Sequence, residues 1–150
     1  MRELEKEEKE EVLLQNGIGV LSLVNGDQPY GIPMSFGYGN DEVSFMMQAS
    51  ETAESRKISI LESNPNACLT VFDHDPGPPQ TWRSVVIRGP IFEIDEEDED
   101  TAFFNLADNA EFAPDFNVLG IPVDEIDLRY FGLSIEQSSG REYSPMELYS

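Results

Sequence analysis

Residues Gly17–Gln48 read GIGVLSLVNGDQPYGIPMSFGYGNDEVSFMMQ and carry the strongest structural signal in the chain. Asn25-Gly26 is a hairpin dipeptide, because both residues tolerate the left-handed backbone that a two-residue turn requires, and apolar runs flank it. Gly39-Asn40-Asp41 marks a second turn. Three antiparallel strands are expected, at about residues 17–24, 28–37 and 42–48. The first is apolar on both faces, with Ile18, Val20 and Val24 on one and Leu21 and Leu23 on the other. That pattern suits a closed or doubly covered sheet, not one with a wet side.

Outward from this segment, Arg2–Asn16 reads as an N-terminal helix stopped at Gly17. Glu51–Glu62 reads as a second helix, with Ile58 and Leu61 as its apolar stripe and Asn64-Pro65 as its stop. Ala67–Phe72 is a short strand, and His74–Gln80, with Pro76-Gly77-Pro78-Pro79, is a loop. Trp82–Ile94 is a long strand whose internal Gly89-Pro90 needs an edge or a bulge. The acidic run Asp95–Asp100 opens a third helix, residues 96–112, since acids favour a helix N-terminus. Residues 111–123 are irregular, residues 125–137 hold the last strand, and 138–150 form a loose polar tail. Six strands with hairpin connections and two or three helices make a single mainly-β (α+β) domain over residues 1–150, an antiparallel barrel or sandwich.

Thirty acids against 9 Lys plus Arg give a net charge of −21 over 150 residues. This excludes nucleic acid and anionic membrane surfaces as expected partners, since both demand basic patches. No apolar run approaches spanning length, and charged Met1–Glu11 lacks the core of a signal peptide, so the expected location is the cytoplasm. So acidic a composition reads either as an acidic interaction tail or as adaptation to a salt-loaded cytoplasm; the scarcity of lysine, only Lys6, Lys9 and Lys57, resembles halophilic archaeal proteins and favours the second. The charge is uneven: residues 1–11 carry −3, residues 12–92 carry −4, and residues 93–150 carry −14. The near-balanced middle, with Arg56, Lys57 and Arg83, leaves room for an anionic ligand.

Gly17-Ile18-Gly19 opens a strand rather than a helix, so it is no dinucleotide fingerprint, and the chain has neither a P-loop nor an HExxH sequence. His74, between Asp73 and Asp75, reads as a solvated surface histidine, and Cys68, the sole cysteine, as a buried inert thiol. No metal site and no nucleophilic triad are expected. Three segments remain. Arg56-Lys57, preceded by Ser50, Thr52 and Ser55, is either a phosphate site at a helix start or a pair of surface cations answering Glu54 and Glu62. Trp82 and Ser84 share one strand face and either line a groove or pack in the core. Pro29 and Pro33 strip donors from their strand, which lets it run along a planar ligand, with Met34, Met46 and Met47 as a soft wall or as ordinary packing.

In order, GVLSLVNGDQPYGIPMSFGY, VSFMMQ, SRKISILESNPNACLTVF and WRSVVIRGPIFEI resemble the FMN-binding split-barrel proteins, the superfamily of pyridoxamine 5'-phosphate oxidase and the nitroimidazole-resistance-type flavoproteins. The resemblance covers roughly residues 12–95, and Ser55-Arg56-Lys57 followed by Asn64-Pro65 is its most specific element. It implies a six-stranded antiparallel split β-barrel and a homodimer with FMN at the subunit interface. By the same resemblance, Arg56 and Lys57, with Ser55, bind the FMN phosphate. Pro33, Met34, Ser35 and Phe36 run along the flavin ring, Met46, Met47 and Gln48 contact it, and Trp82 and Ser84 match the W-x-S-V strand. The C-terminal Arg-x-His signature of true pyridoxamine 5'-phosphate oxidases is absent from REYSPMELYS, so a different small-molecule substrate is implied. The expected function is an FMN-dependent oxidoreductase, with a non-catalytic carrier or sensor of flavin, deazaflavin or haem as the alternative.

Overall fold

The hairpin at Asn25-Gly26 forms, displaced by one residue. Asn25 pairs with Gln28, so the two-residue loop is Gly26-Asp27, and only Gly26 takes a positive φ, of 66°. That is the demand of a type II′ turn, which needs glycine at its first central position. At the second turn Asn40 and Asp41 both adopt positive φ, 54° and 59°, the type I′ pattern. The computed structural model describes residues 1–48, 53–109 and 128–145.

In chain order the elements are β1 (Arg2–Glu3), α1 (Lys6–Gln15), β2 (Ile18–Asn25), β3 (Gln28–Ser35), β4 (Gly37–Gly39), β5 (Glu42–Gln48), α2 (Ala53–Ser63), β6 (Asn66–Asp75), β7 (Thr81–Glu93), a 3-10 turn (Glu96–Asp98), α3 (Glu99–Asn109), β8 (Leu128–Leu133) and β9 (Gln137–Tyr143). The strands run β3-β2-β6-β7-β8-β5-β4, all neighbours antiparallel, and β9 pairs with β7 and β1. The split lies in β7. One edge pairs with β6 over Thr81–Pro90; the other pairs with β9 over Trp82–Arg88 and with β8 over Ile91–Glu93. Gly89-Pro90 sits at the changeover. A side chain at Gly89 would collide with the Ser134 carbonyl, so the sharp corner requires glycine there. Pro29 and Pro33 lie on β3, an edge strand of the described sheet, where a missing N–H breaks no second ladder.

The mainly-β split-barrel expectation holds, with nine strands among the described residues where six were expected. Three differences account for the count. The strand expected over 28–37 breaks at Phe36, and Gly37 starts β4 in the other half of the barrel. The tail expected to be loose from residue 138 is instead β9 through Tyr143. Its polar sequence QSSGREY has no local strand signal; its order comes from long-range ladders on both edges. The N-terminal helix starts only at Lys6, because Arg2 and Glu3 form β1 opposite Glu142 and Arg141, two opposite-charge cross-strand pairs. The acidic helix begins as a 3-10 turn, and its expected end at residues 110–112 lies outside the described residues, as do residues 111–123 and 125–127. None of the described helices is long and apolar enough to cross a membrane.

The core is made by alternate residues of the strands. Leu21 and Leu23, Leu69 and Val71, Val85 and Ile87, Val43 and Phe45, and Phe131 and Leu133 face inward, joined by Val12 and Leu13 of α1 and Ile58 and Leu61 of α2. Each such side chain contributes about 1.5–3 kcal/mol through burial. The opposite face of β2 differs from the doubly covered expectation: Ile18 and Val20 are 43% and 36% exposed, and Phe72 on neighbouring β6 is 58% exposed. Cys68, expected to be buried, lies half-buried on this same outer face, because Leu69 takes the inward position.

Candidate functional site

Helix α2 packs against the β2–β3 end of the sheet and against β5. Residues Tyr30, Ile32 and Met34 of β3 alternate toward the covered side, and α2 meets that side with its two cations. Lys57 is only 5% exposed, and its ammonium donates a 3.5 Å hydrogen bond to the Met34 sulfur. Arg56 is exposed, with its guanidinium 5.4 Å from the centre of the Tyr30 ring. The two neighbours therefore differ physically. Arg56 is a surface cation on an aromatic face, whereas Lys57 carries its charge into a site where solvent screening is weak. Among the described contacts, Lys57 meets Met34 and Arg56 meets Tyr30, while the side chain of Glu54, one of the acids named as an ion-pair partner, falls outside the described residues.

The structure thus brings together Arg56, Lys57 and Met34, and adds Tyr30, which the sequence reading did not select. Its signal was present but weak: Tyr30 shares the parity of Met34 on one strand. Parity also divides the segment Pro33–Phe36. Met34 is buried and Phe36 wholly so, while Pro33 is exposed and Ser35 half-buried on the opposite face. On β5, Met47 is a core side chain at 1% exposure and Met46 is half-buried on the other face. Gln48 ends β5 and Ser55 lies in the first turn of α2; the side chains of both fall outside the described residues.

Trp82 and Ser84 are not brought to α2 within one chain. The ladder pairs Pro33 with Val20, Val20 with Thr70, and Thr70 with Val86, so β7 lies three strand spacings from β3, about 14 Å. Trp82 stacks on His74 with ring centres 4.0 Å apart, and Tyr143 is its cross-strand partner on β9. His74 is exposed, as expected, and lies 2.6 Å from the Gln80 amide nitrogen. Trp82, Ser84, Phe72, Val20 and Ile18 all belong to the outer face of the sheet.

Arg83 does not join the cationic pair. It grips Asp73 through 2.9 and 3.1 Å contacts and reaches Glu11 at 3.3 Å, tying α1 to the β6–β7 hairpin. The hydrogen bond to Asp73 raises its pKa further, so it stays charged as a structural clasp. It lines a polar cleft of about 510 Å³ with Asp73, Asp75 and Glu142, a surface whose acidity disfavours an anion.

A family model for pyridoxamine 5'-phosphate oxidase matches residues 5–142. No curated protein matches the chain. Among solved structures, a FAD-binding protein from Mesorhizobium loti is similar with a TM-score of 0.72 and 26% identity, over 95% of this chain and 98% of that one. A candidate 5-nitroimidazole antibiotic resistance protein from Bacteroides thetaiotaomicron gives 0.70 at 19% identity, over 95% and 87%. A FAD-binding protein from Mycobacterium smegmatis gives 0.69 at 19% identity, over 96% and 99%. The split sheet agrees with the fold of these structures, and the family match spans every described element from α1 to nearly the end of β9. On these grounds the chain belongs to the pyridoxamine 5'-phosphate oxidase family.

Proposed function

We propose that this protein binds FMN and is an oxidoreductase of a small molecule, working as a homodimer in a salt-loaded cytoplasm. The observation that carries the reading is the buried ammonium of Lys57 on α2, held against Met34 with Arg56 beside it. A dianionic phosphate suits this place: Lys57 offers a weakly screened charge, and Arg56 offers a planar donor fork. Met34 and half-buried Met46 supply polarizable surface for a flat ring. Two structural neighbours are named as FAD-binding proteins, which supports a flavin as the ligand. When bound, the flavin supplies the electron transfer; the chain's residues bind and orient it and exclude water.

The homodimer reading rests on two features. The outer face of β2 and β6 exposes Ile18, Val20 and Phe72 together, which a second copy would cover. Trp82 and Ser84 lie on that same outer face, on the other side of the sheet from Met34 and Lys57, so a second copy is what would carry them to a flavin held there. The protein purified at high salt should show the visible spectrum of a flavin; a colourless protein that ignores added FMN would overturn the reading, and a haem or deazaflavin spectrum would replace the cofactor. Anaerobic bleaching by NADH or NADPH is expected of the oxidoreductase. Failure of both donors to bleach bound flavin would favour the carrier or sensor instead.

A further inference from the structure

Helix α3 crosses the opposite half of the barrel, over β4 and β5. Its close approach depends on two glycines: a Cβ at Gly37 would stand 2.6 Å from the Asn105 carbonyl carbon, and one at Gly39 would stand 2.6 Å from Asn105 Oδ1. Alternation on β5 sends Val43, Phe45 and Met47 into the core and turns Glu42 and Ser44 toward α3. Between them lies a cavity of about 220 Å³, walled by Ser44 and Asn105 and flanked by Glu42, Asp95 and Asp98.

Two independent features point to a ligand there. Ser44 is 1% exposed, and its hydroxyl has no hydrogen-bond partner among the described residues. A buried hydroxyl left unpaired costs about 1–3 kcal/mol, so something in the cavity is needed to meet it. The second feature is charge. Carboxylate oxygens of Asp95, Glu97 and Asp98 lie within 4.8 Å of one another. Glu93, on the same wall, is answered by Arg129 through 2.7 and 2.8 Å bonds that hold its pKa down. Glu42, Asp95 and Asp98 have no ion-pair partner among the described residues.

We propose that this cavity binds a hydrated divalent cation of the Mg²⁺ type. Hard cations select oxygen ligands, and Mg²⁺ characteristically keeps several of its waters. At about 30 Å³ per water, the volume of about 220 Å³ accommodates roughly seven, enough for an ion with its hydration shell. Asp95 and Asp98 hold the ion from the mouth. Ser44 and the Asn105 amide receive its waters from inside. The site shares no residue with the Arg56–Lys57 region and does not depend on flavin.

The test is calorimetric titration of MgCl₂ into the full-length protein at constant ionic strength. One saturable site per chain is expected. Asp98→Asn and Ser44→Ala should each weaken it about 10- to 100-fold, as loss of inner or outer coordination partners does. Asp108→Asn removes the same charge from α3 outside the cavity and should leave the affinity unchanged. Ser44→Ala loses only an unpaired hydroxyl, so without Mg²⁺ it should melt no lower than the parent; the Mg²⁺-induced rise in melting temperature should need about 10- to 100-fold more Mg²⁺ in this variant than in the parent. Unsaturable heats, equal weakening by Asp98→Asn and Asp108→Asn, or full affinity in Ser44→Ala would overturn the site and leave only general counterion association.

Discussion

Replacing Lys57 by Met separates a buried phosphate contact from general electrostatic attraction. The substitution keeps the unbranched stem, which is almost wholly buried against Met34, and removes the ammonium. A hydrogen bond to a charged group is worth about 1.5–3 kcal/mol net. FMN affinity should therefore fall roughly 10- to 150-fold. Arg56→Ala gives the contrast. Its guanidinium is exposed over Tyr30, so its attraction for phosphate is screened within about 3 Å at 1 M salt. In fluorescence titrations of FMN, the Arg56→Ala loss should shrink between 0.2 and 2 M KCl, concentrations on either side of about 1 M where screening becomes short-ranged, while the Lys57→Met loss should persist. Far-UV circular dichroism checks that both variants fold. The same affinity in Lys57→Met as in the parent at 2 M KCl would refute the reasoning, since screening at about 3 Å cannot silence a charge that sits out of the solvent.

Gly37→Ala should destabilise the protein by about 1–3 kcal/mol, because the new methyl meets the backbone of Asn105 and Leu106 at 2.6 Å and neither can swing aside. At this chain length the melting temperature should drop by about 2–12 °C in a thermal scan. Phe72→Asp, on the exposed face, should raise the dimer dissociation constant at least about tenfold, since two-fold symmetry would bury a pair of like charges; light scattering coupled to gel filtration reads this, and an unchanged dimer would place the interface elsewhere. Glu8 accepts 2.7 and 2.9 Å bonds from Arg2, which lowers its pKa from 4.5 to about 2. A depressed folded-state value means that the pair supports the fold above pH 4.5 and loses that support as pH falls toward about 2. An NMR titration of the Glu8 carboxyl carbon should have its midpoint near 2, and Arg2→Ala should return it toward 4.5.

Hairpins, helices and most strands were legible because their signals are local. The turn residues Gly26, Asn40 and Asp41 adopt the backbone that their chemistry favours, and Ile58 and Leu61 do face the core. Strand β9 was not legible, since QSSGREY has no apolar alternation and is ordered by partners far along the chain, β7 and β1. The gap between β3 and β4 was equally hidden. An unbroken run over 28–37 satisfies every local rule, and only the packing of Gly37 against α3 shows why the chain changes sheet there.

For the candidate site, sequence carried the residue types. A scarce cation pair beside hydroxyls, in a chain of net charge −21, was informative because each cation is rare. Tertiary structure supplied depth and distance. It buried Lys57 and left Arg56 outside, set Met34 and Pro33 on opposite faces, bound Arg83 to Asp73, and put Trp82 and Ser84 on the outer face of β7, three strands from β3. The physical reason is the reach of each cause. Turn preference and alternation act over two to four neighbouring residues and are written in the sequence order, whereas burial and screening depend on which distant segments close over a side chain.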